Sequence, residues 1–411
     1  MYFLYNILVL SASFFLNIIA KFNKKLKLFV EGRNQTFQKL SNVISENDKV
    51  IWFHCASLGE FEQGRPILEK LKEQYPTYKI ALTFFSPSGY EVRKDYKLAD
   101  VVCYLPLDTK LNARKFLDIT HPELVFFVKY EFWPNILNEL KKRSIKTLLV
   151  SGIFRKNQVF FKLYGGWMRK ALNAFEHFFV QDENSKILLH SINFNNVTVS
   201  GDTRFDRVYE ITKQDNTLSF IEEFKDNKYT IVAGSTWKED EELLVKYINN
   251  EASENEKFII APHNIKKEEI QKLKNSINKK VVLFSEKEQK ELNKYQVFII
   301  DTVGILTKIY SYANVAYVGG GYTKSGVHNV LEPATFGIPI VIGPNYHKFN
   351  EAIDLVNEDA CFVISDSKKL SVLLSKLFQL KQFRETAGNN ALKYVIDKTG
   401  ATTKILYYLK K

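Results

Sequence analysis

Short apolar runs alternate with amphipathic stretches along most of this chain, and the alternation predicts its architecture. In the first half the runs KVIWFHCAS, KIALTFF, ELVFFVKY, KTLLVSG and HFFVQ predict strands, with helices over residues 60–74, 87–94 and 134–142 between them. A polar stretch intervenes after residue 206. The same pattern then restarts with TIVAGS, KFIIAP, KVVLFS, VFIID, VAYVGG and IPIVIG. Strands that are apolar throughout belong to parallel sheets covered on both faces by helices. The chain therefore reads as α/β, with two parallel-sheet units joined near residues 202–228 and a cleft between them. Ligands of such sheets bind beyond the carboxyl ends of the strands.

The N-terminus departs from this pattern. MYFLYNILVLSASFFLNIIA carries no charge before Lys21, and as a helix it would reach ~30 Å, about one hydrocarbon core. Lys21, Lys24, Lys25, Lys27 and Arg33 follow it, which predicts a membrane anchor over residues 1–22 with the remainder on the cytoplasmic side of the inner membrane. Asn6, Ser11, Ser13 and Asn17 dilute the run, so a helix lying in the interface is the alternative to a span. Basic residues after the apolar run rather than before it, with no A-x-A site, argue against a cleaved signal.

Composition changes the picture in three respects. With 411 residues the chain exceeds one typical core. The formal charge of +12 suits an anionic membrane surface or a phosphorylated substrate; nucleic acid is not expected, because the aromatic residues lie in strands rather than among arginines. Cys55, Cys103 and Cys361 have no C-x-x-C spacing, which argues against a disulfide framework or a zinc site.

Candidate chemistry gathers after the strands. HCASLGEFEQGRP places Ser57, Gly59 and Glu60 behind one, either as a capping box or as a carboxylate able to take a proton from a hydroxyl. TFFSPSGYE offers Ser86, Ser88 and Gly89 at a helix start. In VKYEFWPNIL, Lys129 and Glu131 point the same way if extended, as an ion pair or as polar groups beside an aromatic platform for a sugar. The second half offers Ser235, Thr236 and Lys238 in AGSTWKEDEE, and His263 in IIAPHN. YVGGGYTKSGVHNVLEPATFG reads as strand, glycine turn and a short helix from Asn329 to Phe336, with Asn329 as N-cap and Gly337 at its end. Unpaired N–H groups and the helix dipole would make such a turn an anion site. No phosphate loop, G-x-S-x-G elbow, H-E-x-x-H or D-x-D element is present.

WFHCASLGE, TFFSPSGYE, YEFWPN, SGDTRFD, AGSTWKEDEE, DTVGIL and GGGYTKSGVHNVLEPATFGIPIVIGP occur in the order seen in 3-deoxy-D-manno-octulosonic acid (Kdo) transferases, and residues 35–400 resemble that family. The resemblance implies a GT-B fold: two Rossmann-like domains with parallel sheets facing a cleft, behind an N-terminal membrane-anchor helix. Residues 35–205 would bind the acceptor and 206–390 the nucleotide sugar, with residues 391–411 packing back toward the first domain. It implies an inverting transfer of Kdo from CMP-Kdo to a lipid A precursor without a metal ion. Glu60 matches the general base and Glu131 a second acidic position. Ser57, Gly59, Ser86, Ser88 and Gly89 would meet the acceptor. Ser235, Thr236, His263, Gly320, Gly321, Ser325, His328, Asn329 and Glu332 would meet the nucleotide, Glu332 at its ribose. Where the family carries P-R-H this chain reads APHN, so His263, Arg204 or Lys238 is expected to supply a phosphate contact. The rival readings are a GT-B enzyme for another nucleotide sugar and a non-catalytic lipid A binder.

Overall fold

The computed structural model describes residues 1–410, with only the backbone of Ser13, Asn17, Lys24 and Lys25. The chain forms two compact units, Met1–Arg207 with Thr399–Lys411, and Val208–Lys398. Each is built on a sheet of seven parallel strands, and every apolar run named above is one of them.

In the first unit the strands are β1 (Val50–Cys55), β2 (Lys79–Phe84), β3 (Val101–Tyr104), β4 (Leu124–Val128), β5 (Lys146–Gly152), β6 (His177–Val180) and β7 (Val197–Val199), in the order β3-β2-β1-β4-β5-β6-β7. The chain runs outward from β1 through β2 to β3, then returns to start again beside β1 with β4. Alternate side chains of the central strands enter two apolar layers. Trp52, Phe127, Leu149 and Phe178 pack on one face, and Phe53, Phe126, Leu148 and Phe179 on the other. Burying a side chain of this size contributes ~1.5–3 kcal/mol relative to exposure, which is why continuous apolar runs commit to two-sided burial.

The second unit repeats the plan with β8 (Tyr229–Thr236), β9 (Glu256–Pro262), β10 (Val281–Leu283), β11 (Val297–Ile299), β12 (Val315–Val318), β13 (Ile340–Ile342) and β14 (Cys361–Val363), in the order β10-β11-β9-β8-β12-β13-β14. Here the direction reverses between β8 and β12.

The last helix, Ala401–Leu409, belongs to the first unit. Ile405 enters the layer of Phe53, and Tyr408 packs on the rings of His177 and Phe179. Asp206 fixes its start by accepting from the backbone N–H of Gly400 and Thr402 and from the Thr402 hydroxyl.

The N-terminal helix is Tyr2–Ile19. Among the described residues no helix is long and apolar enough to cross a membrane, so the expectation of a span is not met. One side of this helix is polar and tied down: Tyr2 donates to Asn135 Oδ1 at 2.6 Å and Tyr5 to Asp108 Oδ2 at 2.7 Å. Phe3, Leu4, Leu8, Leu10, Phe14 and Phe15 are exposed. Arg33, counted above with the basic flank, is instead buried. Its guanidinium lies 3.5 Å from the centre of the Phe29 ring and donates to the Phe85 carbonyl, and burial pushes its pKa down to about 9.

Candidate active site

In an open parallel sheet the crevice lies where the strand order reverses, because the two outgoing loops diverge there. In the first unit that point lies between β1 and β4. The chain leaving β1 carries Ser57 as the N-cap of a helix whose first turn holds Gly59 and Glu60; the loop after β4 carries Tyr130, Glu131 and Trp133. Glu60, in the first turn of helix Leu58–Gln74, is only 6% exposed, and Glu131 is 9% exposed. Buried carboxylates need hydrogen-bond donors, and both have them. The Ser57 hydroxyl donates to Glu60 Oε2 and makes no capping bond to the backbone, so the capping-box reading is set aside. The Tyr130 hydroxyl lies in the field of Glu60. Burial, then the charge of Glu60, then that of Glu131 push the Tyr130 pKa up, against the nearby Arg155 cation. Cys55 is raised by burial and by the same two carboxylates, with Glu62. The two acids therefore share one electrostatic neighbourhood.

Glu131 Oε2 accepts from Trp133 Nε1 at 3.0 Å and lies 3.3 Å from His54 Nε2. The expected Lys129–Glu131 ion pair does not form. Lys129 adopts φ +73°, which takes it out of the extended conformation, and its ammonium lies 5.2 Å from the centre of the Tyr130 ring. A left-handed non-glycine residue at a strand end is a strained feature of the kind that sites retain.

The turn after β2 lies against the turn after β1. Ser86 N donates to the Ala56 carbonyl, and a side chain at Gly89 would press on Phe84 and on the Ser57 backbone. Ser86 and Ser88 pair their hydroxyls at 2.7 Å, so neither is spent on capping. Thus Ser57, Ser86, Ser88 and Gly89 come together beside Glu60. Arg204 is held by Asp202 at 2.8 Å, within the first unit.

In the second unit the reversal lies between β8 and β12. Ser235 sits in a β-bulge at φ +54° and turns the strand so that Thr236 and Trp237 follow at its end. Thr236 donates to Glu241 Oε1 at 3.0 Å. Asp240 knits the end together, accepting from Trp237 N, from Gly320 N and from the Tyr317 hydroxyl, at 2.9, 2.9 and 2.7 Å. Burial raises its pKa against these bonds.

Trp237 stacks on His263 at 4.7 Å, and His263 on His328 at 4.5 Å. Trp237 Nε1 donates to His328 Nε2 at 3.0 Å. Burial and the adjacent His263 push the His328 pKa down to about 4, and burial also lowers that of His263. His328 is therefore neutral near pH 7, with its proton on Nδ1. Neither ring replaces the missing guanidinium as a cation. Lys238 is exposed and lies 3.7 Å from Glu242. A cavity of about 730 Å³ opens between helices Lys238–Asn250 and Lys267–Ser276, and of the residues singled out from sequence Thr236 and Lys238 line it.

Two expectations about the glycine-rich turn are corrected. The helix after it is a single turn, Leu331–Ala334, shorter than the expected Asn329–Phe336. The three glycines serve the chain's own packing. A side chain at Gly319 would meet the Ser235 carbonyl at 2.4 Å, and one at Gly321 would meet Gly343 Cα at 2.6 Å, while Gly320 requires φ +90° and its N–H is taken by Asp240. Asn329 and Glu332 are bonded side chain to side chain at 3.0 Å, and Thr307 donates to Glu332 Oε2 at 2.9 Å. Ser325 is exposed and paired with Thr323 at 2.7 Å.

Residues 31–207 match the family model described as 3-Deoxy-D-manno-octulosonic-acid transferase (kdotransferase). The 3-deoxy-D-manno-octulosonic acid transferase of Haemophilus influenzae is 26% identical over 387 residues, covering 88% of this chain and 86% of that one. The Aquifex aeolicus enzyme of the same name is 28% identical over 338 residues, covering 81% and 87%. The chain is similar to Kdo transferases over most of its length. Among solved structures, UDP-GlcNAc 2-epimerase from Neisseria meningitidis aligns with a TM-score of 0.60 at 14% identity, over 88% of this chain and 100% of its own. A glycosyltransferase from Rickettsia africae aligns at 0.54 and 14%, over 89% and 98%. These two share the fold, GT-B.

In the structure, His54, Thr83, Tyr130, Trp237, Asp240 and Thr307 join the residues that sequence singled out. All but Thr307 lay inside the motifs WFHCASLGE, TFFSPSGYE, YEFWPN and AGSTWKEDEE, but a buried histidine or threonine on an apolar strand reads as core. Among the described residues no three His, Cys, Asp or Glu side chains form a metal-binding group.

Proposed function

We propose that this Kdo glycosyltransferase uses CMP-Kdo as donor and a lipid A precursor as acceptor, inverting the anomeric centre in one displacement. Glu60 removes the proton of the acceptor hydroxyl as that oxygen bonds to the anomeric carbon. The bond from that carbon to the CMP phosphate oxygen breaks, its electron pair leaves with CMP, and the proton remains on Glu60. Glu131 holds a neighbouring acceptor hydroxyl, and the Ser57, Ser86 and Ser88 hydroxyls line the same turns. On the second unit Glu332 binds the ribose hydroxyls, with Ser235, Thr236, His263, Ser325, His328 and Asn329 around the nucleotide. Neutral N–H donors such as His328 Nδ1, with Arg204 and Lys238 as candidate cations, meet the departing phosphate, so the reaction runs without a metal.

The observation that carries this reading is the pair of buried carboxylates at the β1/β4 crevice, both of which raise the pKa of Tyr130. Purified enzyme given CMP-Kdo and a lipid A precursor in EDTA is expected to yield a Kdo-bearing lipid. A folded, CMP-binding protein that makes no such lipid would overturn the donor–acceptor pair and favour another nucleotide sugar. The exposed apolar side of helix Tyr2–Ile19 rests on the anionic inner face of the membrane in this reading. Phe14→Ser with Phe15→Ser should then abolish flotation with anionic vesicles, and undiminished flotation would refute it.

A further inference from the structure

His54 has no solvent exposure, and both nitrogens of its ring meet polar atoms. Thr83 Oγ1 lies 2.9 Å from Nδ1, and Glu131 Oε2 lies 3.3 Å from Nε2. Strand register creates the first contact, because His54 of β1 and Thr83 of β2 are directly paired. Trp52, two residues before His54 and on the same face, donates its Nε1 proton to Thr83 Oγ1 at 2.8 Å. An indole N–H cannot accept, so Thr83 is the acceptor there. Its own proton is then directed to His54 Nδ1 at 2.9 Å rather than to the Phe53 carbonyl at 3.3 Å.

The other end of the ring decides the tautomer. Trp133 Nε1 lies 3.2 Å from His54 Nε2 as well as 3.0 Å from Glu131 Oε2, so the ring nitrogen and the carboxylate compete for one indole proton. The charged oxygen is the stronger acceptor, and a neutral ring protonated on Nδ1 would still aim its Nε2 lone pair at that oxygen 3.3 Å away, a repulsion that a buried setting does not screen. With the proton on Nε2 that repulsion becomes a hydrogen bond. Donation then runs one way, from Trp52 to Thr83 to His54 to Glu131, and Trp133 donates to the same oxygen. Oε2 is clamped by two donors, whereas Oε1 has no hydrogen bond among the described residues.

We propose that His54 is a positioning residue, which fixes the Glu131 carboxylate by Oε2 so that Oε1 is presented to a hydroxyl of the acceptor sugar. The proposal rests on Glu131 as an acceptor-binding carboxylate. A ring nitrogen held by a second polar group is the usual means by which a protein sets the direction of a histidine.

Two near-isosteric substitutions test it in the full-length enzyme. His54→Gln sets an amide nitrogen near the place of Nε2, while His54→Asn keeps an amide beside Thr83 but falls short of Glu131. The Asn variant should lose about ten- to hundredfold in kcat/KM for the acceptor, the range of one hydrogen bond to a charged group. Its KM for CMP-Kdo should not change, and the Gln variant should recover most of the loss. In a double-mutant cycle, His54→Asn with Glu131→Gln should be no slower than Glu131→Gln alone. Losses that multiply, or equal losses in the Gln and Asn variants, would overturn the proposal. The tautomer is read independently by ¹⁵N NMR of histidine-labelled wild type, which keeps the idea testable if the variants do not fold. A proton on Nε2 is expected, and one on Nδ1 would overturn it. An absence of any Kdo product from the wild type would count against the proposed function, and the NMR result would then judge His54 alone.

Discussion

The Thr307 hydroxyl donates to Glu332 Oε2 at 2.9 Å, joining the segment after β11 to the segment after β12. Asn329 holds the other oxygen of the same carboxylate at 3.0 Å. Glu332 is thus set in one orientation before a nucleotide arrives. Glu332→Ala should weaken CMP binding about ten- to hundredfold in a calorimetric titration, and Thr307→Val about two- to tenfold. An unchanged Kd in the Ala variant would remove Glu332 from the ribose.

Glu60→Gln keeps the shape of the side chain and a carbonyl oxygen for the Ser57 hydroxyl, while removing the basic group. Transfer should fall by ~10²–10⁴-fold with CMP affinity and Tm nearly unaltered. Turnover near that of the wild type would end the base assignment.

The glycine turn invites a test that separates packing from ligand binding. Gly319→Ala drives a methyl group toward the Ser235 carbonyl, which the 2.4 Å approach forbids without backbone movement. The expected cost is about 1–3 kcal/mol, seen as a Tm lowered by ~3–10 °C in the absence of ligand. A variant with wild-type Tm but weak CMP binding would mean that the glycines face the nucleotide after all.

His328 gives the protein an acid-sensitive element. Its pKa, about 4, lies below the ordinary 6.5, because burial and His263 oppose its charge. Between those values the unfolded chain binds a proton that the folded chain refuses. Stability present above pH 6.5 is therefore lost as pH falls toward 4, and this group adds no further loss below it. Allowing for its partial exposure, the loss is ~1–2 kcal/mol. Urea midpoints measured from pH 7.5 to 4 should show a slope that His328→Gln flattens; parallel curves would refute it.

Central strands and corrected details differ in how the chain encodes them. The runs VIWFHC and TIVAGS are long and apolar enough to require burial on both sides, so the strands at the middle of each sheet follow from hydrophobicity alone. The strands that no pattern announced, β3, β7 and β14, are three or four residues long and lie at sheet edges, where little apolar surface is needed. Site residues in short motifs were legible because they directly follow strands. Lys129, Arg33 and Gly320 were misread for a common reason: their behaviour depends on partners distant in sequence. An aromatic cage around Arg33 and the Asp240 carboxylate at Gly320 exist only once the chain has folded.

The bonds from Asp206 to Gly400 and Thr402 also bear on how the molecule is made. The whole second unit lies between these partners in sequence, as an insertion within the first. On the ribosome the first unit would wait, with the place of Ile405 beside Phe53 unfilled, until the inserted unit had been synthesised and the final helix released. The polypeptide completes the domain it started with last, and an acquired truncation of only its final dozen residues would leave that domain, rather than its neighbour, exposed to chaperones and proteases.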